Sequence, residues 1–346
     1  MKQLESAGKR ERLISNPGIH SYQHQHAAHC ESGTIANLLR HQGAAVSEPL
    51  AFGIASGLSF AYLPFVRISN GLPLIAYRSP PKSIIKGTAK AFGSRFRFET
   101  FRNAEAGERR LDELLAQGTP VGAQTSVFWL PYFPEEMRFH FNAHNLVVFG
   151  KDGDDYLIGD PVAEEPQRCA VADFKRARFA KGVLAPKGLL YYPVQTARST
   201  ITPEAIRPAI RKTIRNMAAP IPLIGTRGIH TLAKRIGRLD PAHEQSSPFI
   251  GHVVRMQEEI GTGGAGFRFI YAAFLQEAAE IASLPVLGEF SERLMSIGDA
   301  WRDFALAAAR MVKGRDKLDP PAIAALLHQQ ADSEAAFFRD LGRAAE

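Results

Sequence analysis

The sequence predicts an α+β domain joined to an all-helical domain. Two textures carry that expectation. From about residue 17 to 193, short helical patterns alternate with strand-like runs. From about 203 onward, apolar residues recur at helical spacing through Ala-rich stretches such as DAWRDFALAAARMV and PPAIAALLHQQADSEAAFFRDL. The change falls in YYPVQTARSTITPEA, where prolines and Ser/Thr mark a connection. The expected boundaries are a flexible N-terminus over 1–16, a mixed domain over 17–198 and a helical domain over 199–346.

Each element has a local reason. In ESGTIANLLRHQG, Ile35, Leu38 and Leu39 have the spacing of a buried helical stripe, and Gly43 is a terminator. A second helix is expected from Ser47, with Pro49 in its first turn, running through LAFGIASGLSFAY; Gly53 and Gly57 would admit a close backbone. ERRLDELLAQG reads as a helix ended by Gly118, and PVGAQTSVFW as a strand. HNLVVFGKD and YLIGDP read as strands joined by the turn DGDD, a hairpin. Thr202 before Pro203 reads as an N-cap and first-turn proline. The glycine-rich IGTGGAGFR lacks the Lys-Ser/Thr of a P-loop and reads as a turn before the helix FRFIYAAFLQEAAEI.

Composition narrows the class. The 346 residues, at about 150 per domain, suggest two domains. A chain 45% hydrophobic and 22% charged is not a disordered one. Two cysteines, Cys30 and Cys169, exclude a disulfide framework and fit a reducing compartment. The start, MKQLESAGKRERLI, has no apolar core, so no secretory signal is expected. No apolar run of about 18 residues suggests a membrane span, and a cytoplasmic setting is expected. Residues 168–238 carry 15 basic residues against Asp173 and Glu204, a local +13 on a chain of +7. Arg207, Arg211 and Arg215 would share one helical face, either as a solvated surface or as a dock for an acidic partner, a phosphate group or an anionic membrane surface. No nucleic-acid motif accompanies them.

Cys30 is the sharpest chemical candidate. It stands at the expected start of a helix, where unsatisfied N–H groups and the dipole favour a thiolate. A cysteine nucleophile needs a base, and the base an orienting group. His144 opens one strand of the expected hairpin and Asp160 ends the other, so antiparallel pairing makes them neighbours. Asn142 and Asn145 are alternative orienters. The Cys30 N–H is one oxyanion donor, with Gln23 or Gln25 as side-chain candidates. His29 would shape the pocket, and Glu48 would either stabilise its own helix or face the pocket. Arg268 and Tyr271 would face a substrate. His20, His24, His26 and His29 crowd one loop, but their spacing matches no standard metal pattern, so no metal is expected.

The block HCESGTIANLLRHQG with SEPLAFGIASGLSFAY resembles the N-terminal domain of the butirosin-biosynthesis H-type acyltransferases. HNLVVFGKDGDDYLIGDP is similar to the His and Asp segment of that domain and of papain-like bacteriocin-processing peptidases, and the helical remainder resembles the C-terminal domain that often accompanies it. The resemblance implies a papain-like cysteine-peptidase fold for 17–198, with Cys30, His144 and Asp160 as the catalytic triad. It implies acyl transfer from a carrier-protein thioester to an amine, with no tightly bound cofactor and a phosphopantetheine-linked donor as substrate. The peptidases place a glutamine six residues before the cysteine; here that position is His24, between Gln23 and Gln25. The expected function is therefore a cytoplasmic acyltransferase using a carrier-protein or coenzyme A thioester, a Cys30 acyl-enzyme and a small-molecule amine. The alternative is a cysteine hydrolase, peptidase or amidase, with the same triad. Peripheral membrane contact and oligomeric state are not readable from the residues.

Overall fold

The computed structural model describes residues 22–68, 71–259 and 261–345; the expected flexible segment 1–16 and His20 lie outside them. In chain order the elements begin with α1 (Cys30–His41), α2 (Glu48–Ile54), β1 (Leu58–Arg67), β2 (Pro73–Arg78), α3 (Ser83–Ala91) and β3 (Arg95–Glu99). There follow α4 (Ala104–Ala116), β4 (Val121–Thr125), β5 (His144–Asp152), β6 (Asp155–Gly159), β7 (Gln167–Ala170), α5 (Val171–Arg178) and β8 (Leu190–Gln195). The last six are α6 (Ile206–Met217), α7 (Gly225–Ile236), α8 (Ser246–Glu258), α9 (Arg268–Ile281), α10 (Val286–Val312) and α11 (Pro320–Ala344). The class is α+β with a helical C-terminal region, as expected.

Contacts divide the chain into two units, and not at the expected boundary. One unit is the chain up to Ala45 with Gly93–Ser199; the other is Val46–Phe92 with Thr200 onward. Residues 46–92, expected in the mixed domain, thus belong with the helices. The reason is packing. A Cβ on Gly53 would fall 1.9 Å from the Phe274 ring, so the bare glycine admits α9 against α2. Ser56 Oγ donates to the Ala209 carbonyl, and the Tyr62 N–H to that of Leu223.

Within the first unit, an antiparallel sheet runs in the order β3-β8-β4-β5-β6-β7. Leu111 and Leu114 of α4 and Phe174 of α5 pack on Leu146, Val148 and Ile158 of the sheet. Helix α1, with Ile35, Leu38 and Leu39 buried, packs against β5. The β5–β6 hairpin forms as expected, with Val147 opposite Gly159. The strand expected over PVGAQTSVFW stops at Thr125 and gives way to a 3₁₀ turn at Val127–Trp129.

In the second unit, Ser47 caps α2 by accepting from the Leu50 N–H, as expected. The helix then ends at Ile54 instead of continuing through GLSFAY. Ser56 adopts φ 57, and Leu58, Phe60 and Tyr62 are buried at every second position, the period of a strand. Thr202 precedes a 3₁₀ turn and makes no side-chain cap. The glycine-rich segment is a turn, and the Glu258 carboxylate occupies its Ala265 N–H, the kind of group a phosphate would need.

Candidate active site

Cys30 is the first residue of α1, and the residue before it sets that position. His29 is the N-cap; its Nδ1 accepts from the Ser32 N–H at 3.3 Å and from the Ser32 hydroxyl at 2.8 Å. A histidine thus does the work of the usual Ser or Asp cap and pins the first turn. His29, expected in the pocket, is a capping residue. Gly33 brings the opposite wall to this turn. A Cβ there would lie 2.6 Å from the side chains of both Ala27 and Pro161, and the Ala27 N–H donates to the Pro161 carbonyl at 2.7 Å. The segment that carries Asp160 is thereby laid across the start of α1.

The hairpin supplies the other two groups. Since Val147 pairs with Gly159, Asp160 follows opposite Leu146, one diagonal step from His144. His144 Nε2 donates to Asp160 Oδ2 at 2.6 Å, both side chains being buried. Asp160 also accepts from the Tyr132 hydroxyl at 2.7 Å and from the Val162 N–H at 3.2 Å. The Phe133 ring meets the imidazole edge-on at 5.7 Å. Cys30 is near enough to raise the His144 pKa, and with Nε2 committed to Asp160, Nδ1 is the nitrogen left for a thiol. Burial lowers the imidazole pKa, but the Asp160 charge and hydrogen bond, then those of Cys30, outweigh it and raise it to about 10. A protonated imidazole beside a sulfur at a helix N-terminus is the arrangement that activates a thiol.

The alternative orienters are used elsewhere. Asn142 donates to the Lys181 and Val183 carbonyls, and Asn145 accepts from Tyr191. Cys169, the other cysteine, is a contrast: burial first, then Asp173 and Asp155, push its thiol up to about 12, so it stays protonated.

Other expected site residues fare differently. The amides of Gln23 and Gln25 are exposed and bond no described group; Gln25 instead gives its carbonyl to Asn37. His24 Nε2 is bonded to the Ala163 carbonyl. Glu48 lies in the first turn of α2, in the second unit, where the helix dipole favours an acid. Arg268 is fully buried and bound through two nitrogens to Glu334, so it faces no substrate. Tyr271 is likewise fully buried. Arg207 and Arg211 share a face of α6 as expected, but both donate to the Ala345 carbonyl just after α11, leaving Arg215 exposed. Part of the basic segment is paired in space: Arg168 with Asp152 and Asp155, Lys175 with Glu108. Among the described residues, no group of three or more His, Cys, Asp or Glu is arranged to hold a metal, and no helix is long and apolar enough to cross a membrane.

Tyr132 and Phe133 were not anticipated from sequence. Their signal is the aromatic stretch WLPYF in the β4–β5 connection, immediately upstream of the histidine strand.

Comparison with known families agrees with this geometry. Residues 29–161, which hold all three groups, match the family described as butirosin biosynthesis protein H, N-terminal. That stretch is therefore similar to the N-terminal domain of that family. Residues 172–341 match a second family, a domain of unknown function (DUF4872). No curated protein matches the chain. Among solved structures it is similar to a C39-like peptidase from Bacillus anthracis, with 16% identity and a TM-score of 0.33 over 54% of this chain and 98% of that one. A cysteine at the start of a helix against an antiparallel sheet, with a histidine and a carboxylate brought together by neighbouring strands, is the set of groups that a Cys–His–Asp triad requires.

Proposed function

We propose that the protein is an acyltransferase that moves an acyl group from a carrier-protein or coenzyme A thioester, through a Cys30 acyl-enzyme, to an amine in specialised-metabolite or lipid biosynthesis. The observation that carries this reading is the buried His144–Asp160 hydrogen bond with Cys30 beside it, which together raise the imidazole pKa. The Cys30 thiolate attacks the donor carbonyl. A new C–S bond forms, and the donor's C–S bond breaks. The departing thiolate takes the imidazolium proton. Exchange of one thioester for another is nearly balanced in energy, so the acyl-enzyme persists until an amine arrives. The amine then forms a C–N bond, His144 accepts its proton, and Cys30 leaves as thiolate. The N–H at the start of α1 steadies the oxyanion in both steps. Cys30 is only 6% exposed, which limits the access of competing water.

The reading includes a cytoplasmic setting, no tightly bound cofactor and a carrier protein as partner. It does not rest on Arg207 and Arg211, whose guanidinium groups bind the Ala345 carbonyl. The test is to incubate the protein with a panel of acyl carriers and weigh the intact chain. An acyl mass on the wild type, absent from Cys30→Ala, and its discharge as an amide on adding an amine, is the expected result. Discharge as free acid, with amine present, would replace transfer by hydrolysis. No acyl mass from any carrier would remove the reading.

A further inference from the structure

The second unit holds a cavity of about 510 Å³ that the proposed chemistry does not use. Its size lies within the range typical of small-molecule sites, about 300–1,000 Å³. Its floor is apolar: Phe249 and the ring of Tyr62 are buried there, flanked by Leu239 and Leu72. Its rim is cationic. Arg67 ends β1, Arg235 sits in the last turn of α7 and Arg238 follows it. None of these three has a carboxylate within ion-pair distance among the described residues; Arg67 spends one nitrogen on the Gly71 carbonyl.

The smaller groups fit the same ligand. The Tyr62 hydroxyl has no hydrogen-bond partner among the described residues. Burial raises its pKa against the pull of Arg235 and Arg67, so it remains a donor. His243 Nδ1 accepts from the Gln245 N–H at 3.1 Å, which leaves the proton of a neutral ring on Nε2. Asp240 is the opposing charge, and one of its oxygens is turned back onto the Ala242 N–H at 2.9 Å. Three guanidinium forks exceed what one carboxylate can accept and suit the several oxygens of a phosphate. A bare inorganic anion would leave the aromatic floor wet.

We propose that this cavity binds an organic phosphate ester, its phosphate held by Arg67, Arg235 and Arg238 and its body laid on Tyr62 and Phe249. The inference stands apart from the acyl-transfer reading. Titration calorimetry on the full chain tests it, with phenyl phosphate, 4′-phosphopantetheine, pantetheine and inorganic phosphate as probes. At least one ester is expected to bind about tenfold tighter than inorganic phosphate, and a binding 4′-phosphopantetheine to exceed pantetheine by as much. Which ester binds tells an aromatic body from a pantetheine chain. The Arg235→Ala/Arg238→Ala double variant changes exposed side chains; it is expected to keep its fold by circular dichroism and to lose about tenfold or more in ester affinity. Cys30→Ala is expected to bind the esters as the wild type does. Esters no tighter than inorganic phosphate, or a folded double variant that binds as the wild type, would overturn the proposal while leaving the acyl-enzyme test untouched.

Discussion

Each unit buries a carboxylate with a cationic partner, and the two arrangements end differently. In the second unit, Glu334 accepts from Arg268 Nε and Nη2 at 2.7 and 2.9 Å and from the Trp301 indole at 2.6 Å, while Arg268 Nη1 donates to the Gly266 carbonyl. The guanidinium also lies over the Trp301 and Tyr77 rings. That cluster is closed onto itself and serves the core. In the first unit, Asp160 is equally well bonded, but its partner His144 stands beside Cys30, whose sulfur can form a covalent bond. Buried charge alone therefore marks neither structure nor catalysis. What separates the two is whether the last group in the chain is a reactive atom.

Breaking the carboxylate in each unit should separate rate from stability. Asp160→Asn keeps the shape and removes the charge. Cys30 acylation is expected to fall by about 10²–10⁴-fold. The His144 titration midpoint, followed by NMR, should drop well below about 10. An unchanged midpoint would show that Asp160 does not hold the proton in place. Glu334→Gln strands the Arg268 charge in the core and is expected to cost about 3–5 kcal/mol in urea unfolding, with the His144 midpoint unmoved.

Finer changes sharpen the contrast. Tyr132→Phe removes one donor to a charged acceptor, worth about 1.5–3 kcal/mol; melting and acylation rate should both decline, less than for Asp160→Asn. The last effect is spread over pH. The folded imidazole pKa, about 10, lies above its usual 6.5, so the native state binds the extra proton between those values. The stability from His144 is then full below about 6.5 and is lost as pH rises through about 10, by at most about 1.4 kcal/mol per pH unit. Melting temperature from pH 7 to 10 should fall more steeply in the wild type than in His144→Gln; parallel curves would contradict the assignment.

The placement of Cys30, His144 and Asp160 was more legible than the domain division. Cys30, His144 and Asp160 follow from local rules: a helix start and a hairpin whose register is set by its turn. Tyr132 comes from a connection with no regular period, and its partner is 28 residues away. GLSFAY mixes glycine, serine and aromatics, and only burial at alternate residues made it a strand. The basic run is divided by the fold: acids on β5, β6 and α4 pair with Arg168 and Lys175, which a count along the chain does not reveal, while Arg235 and Arg238 stay unpaired by acids among the described residues. Arg268 was read as a substrate contact because a sequence does not reveal a partner 66 residues downstream.

By itself the sequence determined the elements near Cys30, because caps, terminators and hairpin turns act over a few residues. Tertiary structure decided which charged groups are buried and what each one meets. It drew residues 46–92 into the helical unit, sealed Arg268 against Glu334 and set Tyr132 on Asp160. Desolvation makes a buried charge depend on its nearest partner, and that partner is chosen by packing between segments far apart in the chain.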